Sequence, residues 1–170
     1  MEDLLALQVG EWLRMRQLKL VTAESCTGGL IGDWITNVPG SSEYYLGGVI
    51  SYANEAKISL LDVPPGMLAM YGAVSREVVL EMARGARQRM AFAFPLRQLV
   101  GLSVSGIAGP GGGTLEKPVG LVWIGLSVDG FERAWRFVWD GDRVGNKQKS
   151  ALQALRLLLE FLQGKLKEES

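Results

Sequence analysis

The chain has 170 residues, 48% of them hydrophobic, enough to bury one sizeable core and too few for two ordinary domains. Lysine plus arginine balances aspartate plus glutamate at 18 each, so no long-range field draws the chain to bulk nucleic acid or to an anionic membrane. Histidine is absent and cysteine occurs once, which together exclude a Ser-His-Asp triad, an internal disulfide and the common zinc sites.

Leu5, Val9, Trp12 and Leu13 fall on one stripe and predict an opening amphipathic helix over residues 3–17. Residues 19–23 read as a strand, 24–29 as a tight turn, and Leu30, Ile31, Trp34 and Ile35 as a helix stopped by Pro39 and Gly40. A second strand is expected over 46–52 and a short helix over 54–61. Pro64 and Pro65 then break the chain before a helical turn ending near Tyr71 and Gly72. Ser75 is a good N-cap for a helix burying Val78, Val79, Met82, Ala86 and Met90. A strand over 99–105, a glycine-rich loop over 106–114 and a strand over 119–128 follow. Asp129 and Gly130 mark a hairpin returning over 131–139. Ala151, Ala154, Leu155, Leu158, Leu159 and Leu162 complete the chain with a helix that Asp142 caps.

Strands separated by helices early, with a hairpin late, imply a three-layer α/β/α sandwich with a mixed, mostly parallel sheet. One domain is expected over 1–170, with its core at about 4–162 and a polar tail at 165–170. The start has acidic residues and no basic n-region, and no apolar run approaches the roughly 20 residues of a membrane span, so the expected location is the cytoplasm.

Without histidine, acid-base chemistry falls to Lys, Tyr, Cys, Asp or Glu, and Ser-Lys becomes the main option for acyl transfer. Ser25 lies where a strand becomes a helix, so helical N–H groups can point at its hydroxyl or at an oxyanion beside it, and Gly28 and Gly29 leave room for a substrate. The same residues also suit an ordinary helix cap. Cys26 competes as nucleophile, but a buried inert thiol fits it better. Lys57 follows a second strand that ends at Tyr52, with Asn54 at the turn. Parallel pairing would bring it to Ser25, where desolvation lowers a lysine pKa toward that of a base. A surface lysine and a half-buried tyrosine are the plainer alternative.

The loop over 105–114 is rich enough in glycine to form an anion nest, yet it matches neither a Walker A loop nor a Rossmann fingerprint, and a hairpin loop explains it equally well. Arg143, at the start of the last helix, offers a guanidinium fork or a plain exposed charge. Trp123, Trp135, Phe137 and Trp139 suit core or subunit interface better than base stacking, since no basic stripe accompanies them.

Five segments in order, TAESCTGG (22–29), SYANEAK (51–57), GAVS (72–75), SGIAGP (105–110) and EKPVG (116–120), closely resemble the CinA C-terminal domain family, over about residues 4–162. Members of that family act as nicotinamide-nucleotide amidases, converting nicotinamide mononucleotide and water to nicotinate mononucleotide and ammonia. The resemblance implies a nucleophile at Ser25, a catalytic lysine at Lys57 and an active-site tyrosine at Tyr52. It also implies no metal or organic cofactor and a homo-oligomer, dimer or trimer. Thr27, Gly28, Gly29, Asn54, Ser105, Gly106, Ile107, Ala108, Gly109 and Arg143 are the expected substrate contacts. Oxyanion donors are expected near Gly28. One departure stands out: after Gly-Asp-Arg the family usually continues with an apolar residue and a second arginine, where this chain has VGNKQ at 144–148. That departure motivates an alternative, a non-catalytic, competence-associated module that binds a nucleotide without turning it over.

Overall fold

The computed structural model describes residues 1–166. Strand β1 (Lys19–Glu24) sends Leu20 into one apolar cluster and Val21 and Ala23 into another, because successive side chains of a strand face opposite sides of its sheet. Both faces are therefore buried, which requires helices on each side. The sheet order is β2 (Tyr45–Ile50), β1, β3 (Leu99–Gly106), β4 (Leu121–Val128), β5 (Phe131–Val138). β1 pairs in parallel with β2 and β3, and β4 runs antiparallel to both β3 and β5. The sheet is thus mixed, with β4 alone running against the others.

Helices α1 (Glu2–Met15), α2 (Leu30–Thr36) and α6 (Arg143–Leu162) cover one face. There Leu5, Val9, Leu13, Ile31, Ile35 and the stripe Ala151, Ala154, Leu155, Leu158 and Leu162 meet Leu20, Val100, Leu102 and Ile124. Helices α3 (Asn54–Leu61), α4 (Pro65–Tyr71) and α5 (Arg76–Arg89) cover the other, with Leu61, Leu68, Val78, Met82 and Ala86 against Val21 and Ala23. The expected three-layer sandwich is the observed one.

α5 lies unusually close to the sheet. A Cβ on Gly101 would come within 2.0 Å of the Ala83 carbonyl oxygen, and the Ser103 hydroxyl donates to the Val79 carbonyl at 2.5 Å. Arg87, near the end of α5, is buried and donates its guanidinium N–H groups to the Leu99 carbonyl (2.9 Å), the Leu96 carbonyl (2.8 Å) and the Ser127 hydroxyl (3.1 Å). Small residues on β3 and β4 are what permit this contact distance.

Several boundaries shift from the expected ones for local reasons. α1 stops at Met15 because Gln17 turns left-handed (φ 56°) and the Leu18 N–H returns to the Leu13 carbonyl at 2.9 Å, a Schellman-type ending. Val119 and Gly120 belong to a turn closed by the Leu121 N–H on the Pro118 carbonyl (3.1 Å), so β4 begins two residues late. Ser75 and Asp142 cap their helices as expected, accepting from Val78 at 3.3 Å and Gly145 at 2.7 Å. Within the expected polar tail, Lys165 and Leu166 follow α6 without regular structure, and residues 167–170 lie outside the described residues.

Candidate active site

Because β1, β2 and β3 point the same way, their C-terminal ends meet at one edge, where open α/β sheets hold their ligands. Ser25 leaves β1 there, its N–H bonded to the Val104 carbonyl at 2.9 Å. The Ser51 N–H, just past β2, bonds the Glu24 carbonyl at 2.8 Å and so fixes the start of α3 beside the β1 exit. In the first turn of α3 stands Lys57, 1% exposed. Its Nζ lies 3.1 Å from Ser25 Oγ, 2.8 Å from the Ser51 carbonyl oxygen and 3.2 Å from that of Tyr52. Among the described residues no carboxylate pairs with it, and burial pulls its pKa below the usual lysine range.

The chemistry of this arrangement follows from counting hydrogens. A neutral amine has two N–H donors and one lone pair; with both donors spent on the two carbonyls, the lone pair is left for the Ser25 hydroxyl. In its neutral form the amine is therefore placed to accept the Ser25 proton. Cys26 does not compete, since burial pushes its thiol up to about 12.

Ser25 does not cap α2, the plainer alternative for this turn. The buried Glu24 carboxylate does that work, accepting from the N–H groups of Gly29 (3.1 Å), Ile31 (3.1 Å) and Gly32 (3.0 Å). The Gly28 N–H is also engaged, on the Ser25 carbonyl at 3.1 Å. Gly28 and Gly29 both have positive φ, 63° and 100°, which is why glycine occupies both positions. Of the donors expected near Gly28, its own N–H is thus engaged, while among the described residues the N–H groups of Cys26 and Thr27 make no main-chain hydrogen bond. The Thr27 hydroxyl is likewise buried and unpartnered.

Above the pair lies a cavity of about 160 Å³ lined by Ser25, Cys26, Tyr52, Lys57, Ala73, Val74, Ser105, Gly106, Ala108 and Arg143. A second cavity of about 480 Å³, between the 108–110 and 141–144 segments, shares Ala108 and Arg143 with it. Arg143 forms the wall between them, donating to the Gly109 carbonyl at 2.6 Å and to the Tyr52 hydroxyl at 2.8 Å. The Tyr52 hydroxyl is hydrogen-bonded to neither Ser25 nor Lys57; its contribution to the pair is the main-chain carbonyl.

Of the expected contacts, Ser105, Gly106, Ala108 and Arg143 line the reactive cavity, whereas Thr27, Gly28, Gly29, Asn54, Ile107 and Gly109 do not. Asn54 is exposed at the first turn of α3. The Ser105 hydroxyl donates to the Ala73 carbonyl at 2.7 Å and positions the far wall. The glycine-rich loop is tied down rather than an open nest, with the Ile107 N–H on the Leu121 carbonyl and the Ala108 carbonyl accepting from Asn146 Nδ2 at 3.0 Å. Ala73 and Val74 enter the cavity without any chemical signature in the sequence. Among the described residues no three acidic, Cys or His side chains converge into a metal-ligand set, and no helix is long and apolar enough to cross a membrane.

A three-layer α/β/α domain with a buried serine-lysine pair at its parallel strand ends defines the class. The chain belongs to the CinA C-terminal domain family, whose model matches residues 2–162. It is 47% identical over 154 residues to a CinA-like protein of Gemmatimonas aurantiaca and 48% identical over 162 residues to one of Geobacter sp.. Those alignments take in 91% and 95% of this chain but 34% and 37% of the relatives, so the chain spans about a third of the length of these curated relatives. Among solved structures, a competence-damaged protein (CinA) superfamily protein from Klebsiella pneumoniae superposes with a TM-score of 0.88 at 30% identity, covering 96% of this chain and 99% of that one. The competence/damage inducible protein CihA from Agrobacterium tumefaciens does so with a TM-score of 0.79 at 36% identity, covering 92% and 96%.

Proposed function

We infer that the chain is a serine amidohydrolase that hydrolyses the carboxamide of nicotinamide mononucleotide to give nicotinate mononucleotide and ammonia. The observation that carries this is the buried Lys57 amine, unpaired by any carboxylate among the described residues, 3.1 Å from the Ser25 hydroxyl, with main-chain carbonyls at its other donor positions. The substrate rests on the five segments that resemble a family of nicotinamide-nucleotide amidases.

Neutral Lys57 takes the Ser25 proton as Oγ bonds to the carboxamide carbon, and the N–H group of Cys26, which lines the cavity, receives the developing oxyanion. The protonated lysine then returns its proton to the amide nitrogen, the C–N bond breaks and ammonia leaves. Water, deprotonated by the same amine, attacks the ester and frees the carboxylate and Ser25. Tyr52 holds the amine through its carbonyl and closes the cavity through its bond to Arg143. The 160 Å³ cavity is below the roughly 300–1,000 Å³ of sites for drug-sized ligands. It suits the carboxamide end of the substrate, with the remainder lying outside.

The intermediate supplies the test. Rapid quenching with nicotinamide mononucleotide followed by intact-mass and peptide analysis is expected to find an acyl ester on Ser25. Turnover by a Ser25→Ala variant at the wild-type rate, with no ester on any residue, would overturn the mechanism.

A further inference from the structure

Lys147 takes no part in the steps above. It stands four residues after Arg143 in α6, and residues so spaced share one face of a helix. The two cations differ in what they already hold. Arg143 is committed to the Gly109 carbonyl and the Tyr52 hydroxyl, and Lys149 is paired with Asp140 at 2.8 Å. Lys147 is half-buried and forms no hydrogen bond or ion pair among the described residues.

Its amine points at the nucleophile turn. Nζ lies 3.8 Å from the place a Cβ would occupy on Gly28, and the Gly28 N–H closes a turn on the Ser25 carbonyl, which keeps those two residues within about 7 Å. Cys26, beside Ser25, lies within the electrostatic reach of Lys147. The same turn holds the buried, unpartnered hydroxyl and the free N–H of Thr27. The nearby Glu24 carboxylate is spent on three N–H donors of α2. An uncommitted ammonium, a side-chain-free position and spare donors therefore come together at the turn that follows Ser25.

We propose that Lys147, rather than Arg143, binds the anionic end of the substrate, a phosphate monoester, at the Thr27–Gly28 turn, while Arg143 serves as the wall between the two cavities. This deepens the amidase reading and rests on it. A lysine binds phosphate as a point charge and needs no fork geometry, so Lys147 can serve without a second arginine in the VGNKQ segment.

Calorimetric titration on a Ser25→Ala background separates the outcomes, because binding is read without turnover. Nicotinamide mononucleotide, ribose 5-phosphate and nicotinamide riboside are titrated into that protein and into its Lys147→Gln and Lys147→Arg derivatives. The expected result is a Kd about ten-fold weaker or more for both phosphorylated ligands with Lys147→Gln, recovery with Lys147→Arg, and no change for the riboside. Unchanged affinity for the phosphorylated ligands, equal weakening of the riboside, or no binding of the mononucleotide at all would overturn the proposal. Ammonia release by the wild type is read separately: Lys147-dependent binding without release would sink the amidase and leave the anion site standing.

Discussion

Lys57 and Ser25 lie 32 positions apart in the sequence and 3.1 Å apart at their reacting atoms, with the Ser51 and Tyr52 carbonyls holding the amine from behind. Replacing Lys57 with Met removes the base and retains an apolar stem of similar length. Turnover is expected to fall by about 10³-fold or more while the circular dichroism spectrum stays that of the wild type. Lys57→Arg is expected to be equally inactive, since a guanidinium keeps its proton.

The pH dependence follows from the same burial. Because the Lys57 pKa is lowered, kcat/KM should climb as pH rises through that lowered value, with its midpoint below the usual lysine range. For stability the sign is worked out from proton counts. Between the lowered folded pKa and the ordinary unfolded one, the unfolded chain holds a proton that the folded chain has lost, so stability rises with pH across that window. Below it the folded chain carries a buried charge at full cost. Melting temperatures of wild type and Lys57→Met measured against pH should therefore converge as pH rises; a gap independent of pH would contradict the assignment.

Glu24 anchors the nucleophile turn by accepting three N–H groups of α2. Glu24→Ala leaves those donors unpaired and should cost about 2–3 kcal/mol in urea denaturation, with turnover reduced about ten-fold or more. Glu24→Gln keeps one acceptor oxygen and should fall between the two. Full stability in Glu24→Ala would show that the carboxylate does not hold the turn.

Gly101 tests whether the close contact of α5 is structural alone. A methyl group there meets the Ala83 carbonyl oxygen, so Gly101→Ala should lose about 1–3 kcal/mol by denaturation. Its kcat should stay near the wild-type value in the folded fraction, because position 101 is at the end of β3 opposite to Ser105.

Much of this was legible in the sequence because the signals were strongly periodic or chemically singular. The stripes of α1, α5 and α6, the caps at Ser75 and Asp142, and the hairpin at Asp129 and Gly130 were each written in residue type. The Ser25–Lys57 approach followed from two parallel strand ends and the absence of histidine. The cap of α2 was not legible, because a glutamate at the start of a turn gives no sign that its carboxylate bends back onto the next helix. Ala73 and Val74 were invisible as cavity walls, since small apolar residues look alike in core and site. Lys147 was seen only as a departure, because its nearness to Gly28 depends on how α6 crosses the strand ends.

The most direct test is ammonia release from nicotinamide mononucleotide by the purified protein, run beside Ser25→Ala with chelator present throughout. The account predicts stoichiometric ammonia and nicotinate mononucleotide from the wild type and none from the variant. A folded wild-type protein that binds the nucleotide and releases no ammonia would contradict it and favour a module that binds without turnover.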